Sequence, residues 1–152
     1  MTFKVLLATQ EDEPALVELL RLRHAEEGHG IFDEDRARSV VTRGIARDLA
    51  IVGIIRGRNS IEASVGLFVT EPWDSKIQIL SDLWLTVLEP YRKSDRAKCL
   101  VDFSKWAATE LDKPLMLTLA LNPQTERKDK FYARHLPRSG SMFLYQPGKE
   151  AA

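Results

Sequence analysis

Leu80-Ser-Asp-Leu-Trp-Leu-Thr-Val-Leu-Glu-Pro-Tyr-Arg-Lys-Ser-Asp-Arg-Ala-Lys-Cys-Leu-Val-Asp-Phe-Ser-Lys-Trp106 reads as a buried strand, a short basic turn and then an amphipathic helix. A strand that feeds a helix through a turn leaves the first helical amides unpaired. With the positive end of the helix dipole, those amides make an anion site, typically for phosphate. Arg92, Lys93, Arg96 and Lys98 lie in and just beyond this turn. The same residues also read as a solvated helix start, with Ser94 or Asp95 as an ordinary N-cap.

Downstream, the spacing of Ala97, Leu100, Val101, Ser104, Ala107 and Ala108 predicts a helix over Asp95–Leu111. Lys113-Pro114 ends it. Leu115–Leu121 is a continuous apolar run, the pattern of a central strand covered on both faces. Asn122-Pro123 breaks that run, Gln124–His135 reads as a short charged helix, and Ser141–Gln146 as a last strand. Upstream lie strands at Leu49–Arg56, Ile61–Val69 and Ile77–Leu88, joined by turns at Arg56–Ser60 and Glu71–Ser75. Gly66 marks a bulge or a close backbone approach. Before them come a strand at Phe3–Ala8 and a helix that starts at Thr9, admits Pro14 in its first turn and stops near Gly28. A second helix spans Asp33–Arg47. The resulting order, β-α-α-β-β-β-α-β-α-β, changes from an antiparallel meander to strand–helix–strand crossovers. It predicts a mixed sheet with helices on its faces.

The chain of 152 residues suits a single domain, expected over residues 3–147 with a flexible tail at 148–152. Its formal net charge of zero argues against bulk electrostatic binding of nucleic acid, which needs a basic excess. The single cysteine, Cys99, has no partner for an internal disulfide, which fits a reducing, cytoplasmic setting. The apolar run at the N-terminus is too short for a signal peptide, and no segment reaches the roughly 20 apolar residues of a membrane span.

Two segments carry a family resemblance. Val87-Leu-Glu-Pro-Tyr-Arg92-Lys-Ser-Asp-Arg-Ala97 resembles the signature of the GNAT superfamily of acyl-CoA-dependent N-acyltransferases, and Phe131-Tyr132-Ala133-Arg134 is similar to the end of that family's penultimate helix. The element order agrees along nearly the whole chain. The resemblance implies an α/β (α+β) fold with a mixed, mostly antiparallel central sheet of about six to seven strands and helices on both faces. It implies acetyl transfer from acetyl-CoA to an amine by direct attack in a ternary complex. The CoA pyrophosphate would fall on Arg92, Lys93, Ser94, Asp95, Arg96 and Ala97, the pantetheine arm on Leu85 and Val87, and protonation of the departing thiolate on Tyr132. Asp82, early in the preceding strand, would be the general base.

The pattern is not fully kept. Asp95 stands at the signature's first glycine, where a carboxylate repels pyrophosphate and a side chain limits close approach. Thr125 and Lys128 stand where the family usually has an asparagine and a small residue, and His135-Leu-Pro-Arg138 replaces its usual Gly-Phe. The alternative is therefore a non-catalytic GNAT-like structural or interaction module with weak or no CoA binding. Outside the family frame, Tyr132 reads as a packed aromatic and Asp82 as a strand-edge polar residue. His24, Glu26, Glu27 and His29 cluster at the first helix's end, where polar residues are usually just solvated. No set of zinc ligands and no Ser-His-Asp signature is present. Trp73, Trp84 and Trp106 read as packing residues. The acceptor amine stays open, as does oligomeric state, a homodimer included.

Overall fold

The computed structural model describes residues 2–119, 125–141, 143, 145, 147 and 148. β-branched and apolar runs set three long strands, β2 (Ala50–Arg56), β3 (Ile61–Thr70) and β4 (Ile79–Val87), which pair antiparallel in sequence order. The β2–β3 turn is closed by the Gly57 amide donating to the Ser60 carbonyl at 2.8 Å. The short β1 (Leu6–Leu7) pairs antiparallel with β2, and β5 (Leu115–Met116) pairs parallel with β4. The sheet is mixed and mostly antiparallel, as expected, in the order β1-β2-β3-β4-β5.

Among the described residues the sheet has five strands rather than six or seven. Of the expected strands, only the last is missing from it. β5 covers only the start of the expected Leu115–Leu121 strand, and Ala120 to Gln124, with the expected Asn122-Pro123 break, lie outside the described residues. Among the described residues β5 ends the ladder, and Met116 is 43% exposed. The expected last strand includes Met142, Leu144 and Gln146, which also lie outside the described residues, as do Lys149–Ala152 of the tail.

Helices cover both faces. On one side α1 (Glu13–Glu27) and α2 (Glu34–Ala46) bury Leu16, Leu19 and Val41 against Val52, Ile54 and Trp84. On the other, α3 (Arg96–Glu110) buries Leu100, Phe103 and Ala107 against Ala63, Val65 and Leu67. α4 (Thr125–Ala133) follows β5. The first helix begins later than its Thr9 cap implies, because a one-turn 3-10 helix (Gln10–Asp12) intervenes. There the Thr9 amide and hydroxyl donate to the Asp12 carboxylate at 2.7 and 3.1 Å. Asp33 caps α2 as a side-chain acceptor for the Arg36 amide at 3.0 Å. Of the three tryptophans, Trp84 is core, Trp106 is half exposed against Phe103, and Trp73 is 97% exposed in the β3–β4 turn, contrary to a packing role.

Two bulges shape the sheet. Arg56 pairs with Ile61 while Ile55 pairs with Ala63, so Glu62 is the extra residue. Gly66 pairs with Trp84 while Leu67 pairs with Asp82, so Leu83 is the extra residue in β4. An inserted residue reverses which side chains face which side. Leu80 accordingly packs under α3, whereas Trp84 points to the α1–α2 face. Gly66 is needed here for close approach: a Cβ at that position would lie 2.5 Å from the Trp84 ring. That ring is fixed by its Nε1–H donating to Ser64 Oγ at 3.1 Å, and Ser64 in turn donates to the Gly53 carbonyl at 2.9 Å.

Candidate functional site

β4 and β5 pair only at Leu80–Leu115 and Ser81–Met116. One residue on, the Asp82 side chain takes the place of the ladder: its Oδ1 accepts the Thr118 amide at 2.9 Å and the Thr118 hydroxyl at 3.1 Å. Beyond that point, β4 has no further strand partner on this side among the described residues. Two connected clefts open there. The larger, about 180 Å³, runs beside Leu85, Thr86 and Val87 of β4 toward the start of α3. The smaller, about 120 Å³, holds Asp82, Leu83 and Thr118, with Arg23 of α1 on its wall. Glu27, Leu85, Lys128 and Tyr132 line both.

The far end of the larger cleft is the basic turn. Tyr91, Arg92, Lys93, Ser94 and Ala97 line it. Lys93 has φ +65°, which turns the chain sharply into α3. Ser94, not Asp95, arranges the helix start by its side chain: its Oγ donates to the Tyr91 carbonyl at 2.7 Å and accepts from the Arg96 amide at 3.4 Å. The amides of Lys93, Ser94 and Ala97 have no partner among the described residues. Unpaired amides at a helix start are the groups that can receive an anion. Arg127 of α4 adds a further cation to the cleft wall.

Two of the turn's cations are already engaged. Arg92 donates to the Val87 carbonyl at 2.9 Å and to Glu26 at 2.6 Å, tying the end of β4 to α1. Arg96 donates twice to Glu62, at 2.9 and 2.6 Å, and lies over the Phe3 ring at 3.9 Å. Its side chain is 14% exposed, and neither Arg96 nor Asp95 lines either cleft. Of the sequence-derived site residues, the fold thus gathers Asp82, Leu85, Val87, Arg92, Lys93, Ser94, Ala97 and Tyr132 around the clefts and leaves Asp95 and Arg96 behind the turn.

At the junction of the clefts, burial pushes the Tyr132 phenol up from its ordinary value, and the charges of Asp82 and Glu27 push it further, with Arg23 opposing. The phenol is thereby held protonated through the neutral range. Burial also raises the Asp82 carboxyl, against the two hydrogen bonds from Thr118. Tyr132 is flanked by Phe131, which stacks obliquely on His135.

Sequence reasoning did not single out Arg23, Lys128 or Thr118 as site residues, and it left Glu27 unranked. Glu27 is almost fully buried; its Oε1 accepts from Lys128 Nζ across the junction, and its Oε2 lies 3.4 Å from Arg23. Arg23 and Glu27 are one helical turn apart, a spacing that a solvated helix end shows equally well. Only the packing of α4 over α1 distinguishes them. His24 instead contacts the Gly30 carbonyl and the Phe32 ring, away from the clefts, and His29 is exposed.

No protein-family sequence model matches the chain, and no curated protein matches it by sequence. Solved structures do match in three dimensions. A ribosomal-protein-alanine N-acetyltransferase from Brucella melitensis biovar Abortus 2308 aligns with TM-score 0.72 and 17% identity, over 97% of this chain and 100% of that one. A predicted acetyltransferase from Clostridium acetobutylicum, solved with acetyl-CoA, aligns with TM-score 0.75 and 13% identity, over 95% of this chain and 96% of that one. An aminoglycoside acetyltransferase from an uncultured soil metagenomic sample aligns with TM-score 0.70 and 16% identity, over 98% and 97% of the two chains. At these identities the likeness is one of fold.

Proposed function

We propose that this chain, which has the GNAT acetyltransferase fold, is an N-acetyltransferase that transfers acetyl from acetyl-CoA to an amine by direct attack in a ternary complex. The observation that carries this reading is the pair of joined clefts where β4 and β5 part, with Tyr132 at their junction.

The residues present fit the cofactor. Free amides of Lys93, Ser94 and Ala97, with Lys93 and Arg127 as cations, suit a pyrophosphate. Leu85, Val87 and Phe131 suit an apolar pantetheine arm, whose amides would meet the unpaired edge of β4. Arg96 would serve by holding the turn against Glu62 rather than by its own charge. Asp95 lines neither cleft, which moves its carboxylate out of the phosphate's way.

Acetyl-CoA, when bound, supplies a thioester whose carbonyl carbon takes the amine's lone pair and whose sulfur departs as thiolate. Asp82, with its raised carboxyl, would accept the proton lost by the attacking nitrogen, directly or through water. Tyr132 would give its phenolic proton to the sulfur as the C–S bond breaks.

The non-catalytic reading has one observation in its favour: Lys128 reaches across the junction to Glu27, on the path between the two clefts. Calorimetry with acetyl-CoA, followed by free-thiol detection over a panel of amines, separates the two. Binding and thiol release support the enzyme. No binding at millimolar cofactor supports the module.

A further inference from the structure

The smaller cleft is lined by side chains of both charges. Its volume, about 120 Å³, admits only a small group beside Tyr132. Glu27 is shared between two cations: its Oε1 accepts from Lys128, and its Oε2 pairs with Arg23 at 3.4 Å. No other carboxylate among the described residues is within ion-pair distance of Arg23. Its Nε–H is shielded from solvent and has no acceptor among the described residues. The guanidinium lines the cleft, where a carboxylate brought by a ligand would give it a second anionic partner. Asp82, in the same cleft, offers the opposite charge.

A cation and an anion facing one small space match a molecule that carries both. We infer that the acceptor is a small amino carboxylate, a free amino acid or similar zwitterion, with its carboxylate on Arg23 and its amine toward Asp82 and Tyr132. The inference rests on the acetyltransferase reading for the fate of the amine, but not for the carboxylate site. The guanidinium's planar fork suits a carboxylate. A polycationic aminoglycoside would instead meet Arg23 and Lys128 here, and Arg92, Lys93 and Arg127 in the adjoining cleft. The amino terminus of a peptide would place an amide where Arg23 needs an anion.

The test uses the full chain and a panel of L-amino acids, their carboxamides, dipeptides, simple monoamines and one aminoglycoside. Binding is read by calorimetry with and without CoA, and turnover by thiol release from acetyl-CoA. Amino acids are expected to bind about tenfold or more tighter than their carboxamides and dipeptides, the loss typical of a charge-assisted hydrogen bond. Arg23→Gln should reduce amino-acid binding to the carboxamide level and leave CoA affinity unchanged. Arg23→Lys, which keeps the charge without the fork, should fall between. Carboxamides, dipeptides, monoamines or the aminoglycoside binding as well as amino acids, no member of the panel binding, or both variants matching wild type would overturn the inference. Amino-acid binding without thiol release from any amine would overturn acetyl transfer and leave the carboxylate site standing.

Discussion

The proposed chemistry rests on Tyr132, at the junction of the clefts, and Asp82, in the smaller one, and each has a substitution that isolates its role. Tyr132→Phe removes a proton and little volume. With the phenol asked to act only as the thiolate leaves, turnover should fall while CoA affinity holds. General acid catalysis is worth about 10²–10⁴-fold, with water able to make up part of the loss. A Phe variant with wild-type turnover would leave Tyr132 as packing. Asp82 is bound up with the fold, because its Oδ1 holds Thr118 where the strands part. Asp82→Asn keeps an oxygen acceptor for Thr118 and removes only the titration. A raised carboxyl loses its proton at higher pH than usual. As a base it is idle below that point, so kcat/KM for the acceptor should climb through a limb above the ordinary carboxylate range. That limb should vanish in Asp82→Asn; if it persists unchanged, Asp82 serves only to hold Thr118 against β4.

The elements show what a linear reading reaches. The β2–β4 meander and α3 follow from local signals: alternation, turn residues and an apolar face repeating at helical spacing. Gly66 was readable as a bulge or close approach and is both, yet its partner Trp84 is eighteen residues away and unmarked. The bulged Glu62 has no local signal at all, although the Arg96 pair it supports holds the start of α3. The basic turn could be read from the sequence as a candidate anion site because its helix-start amides lie in one segment. The smaller cleft could not be, because Arg23 and Glu27 of α1, Asp82 of β4 and Lys128 of α4 come from three separate segments. The turn's cations also differ from their linear reading: Arg96, expected to face phosphate, is partly buried and tied to Glu62. Gly66→Ala tests the bulge. Its methyl would collide with a ring pinned through Ser64, and overpacking of this kind costs about 1–3 kcal/mol. Urea unfolding should show a lower midpoint with an unchanged m-value. An unchanged midpoint would mean the Trp84 ring yields freely.

At the scale of the whole molecule, the site is a seam between parts that the sheet does not join. α4 crosses to α1 through Lys128 and Glu27, Arg92 ties α1 to the end of β4, and Asp82 closes the strand split with a side chain instead of a ladder. A ligand lying along that seam touches β4, the α3 start and α4 together. Its binding free energy therefore adds to the stability of the folded state. For acetyl-CoA at one hundred times its dissociation constant, mass action gives about 2.7 kcal/mol. In a domain of this size that is a rise in Tm of roughly 5–11 °C. Under the proposed assignment the phosphates should carry much of it, since they alone would reach the amides of Lys93, Ser94 and Ala97. Pantetheine, which lacks the pyrophosphate, should raise Tm far less than CoA at equal concentration. Equal shifts would place the affinity in the apolar wall of Leu85, Val87 and Phe131 and take the phosphates off the turn. No shift with millimolar acetyl-CoA would mean that the seam, although open, is not a cofactor site.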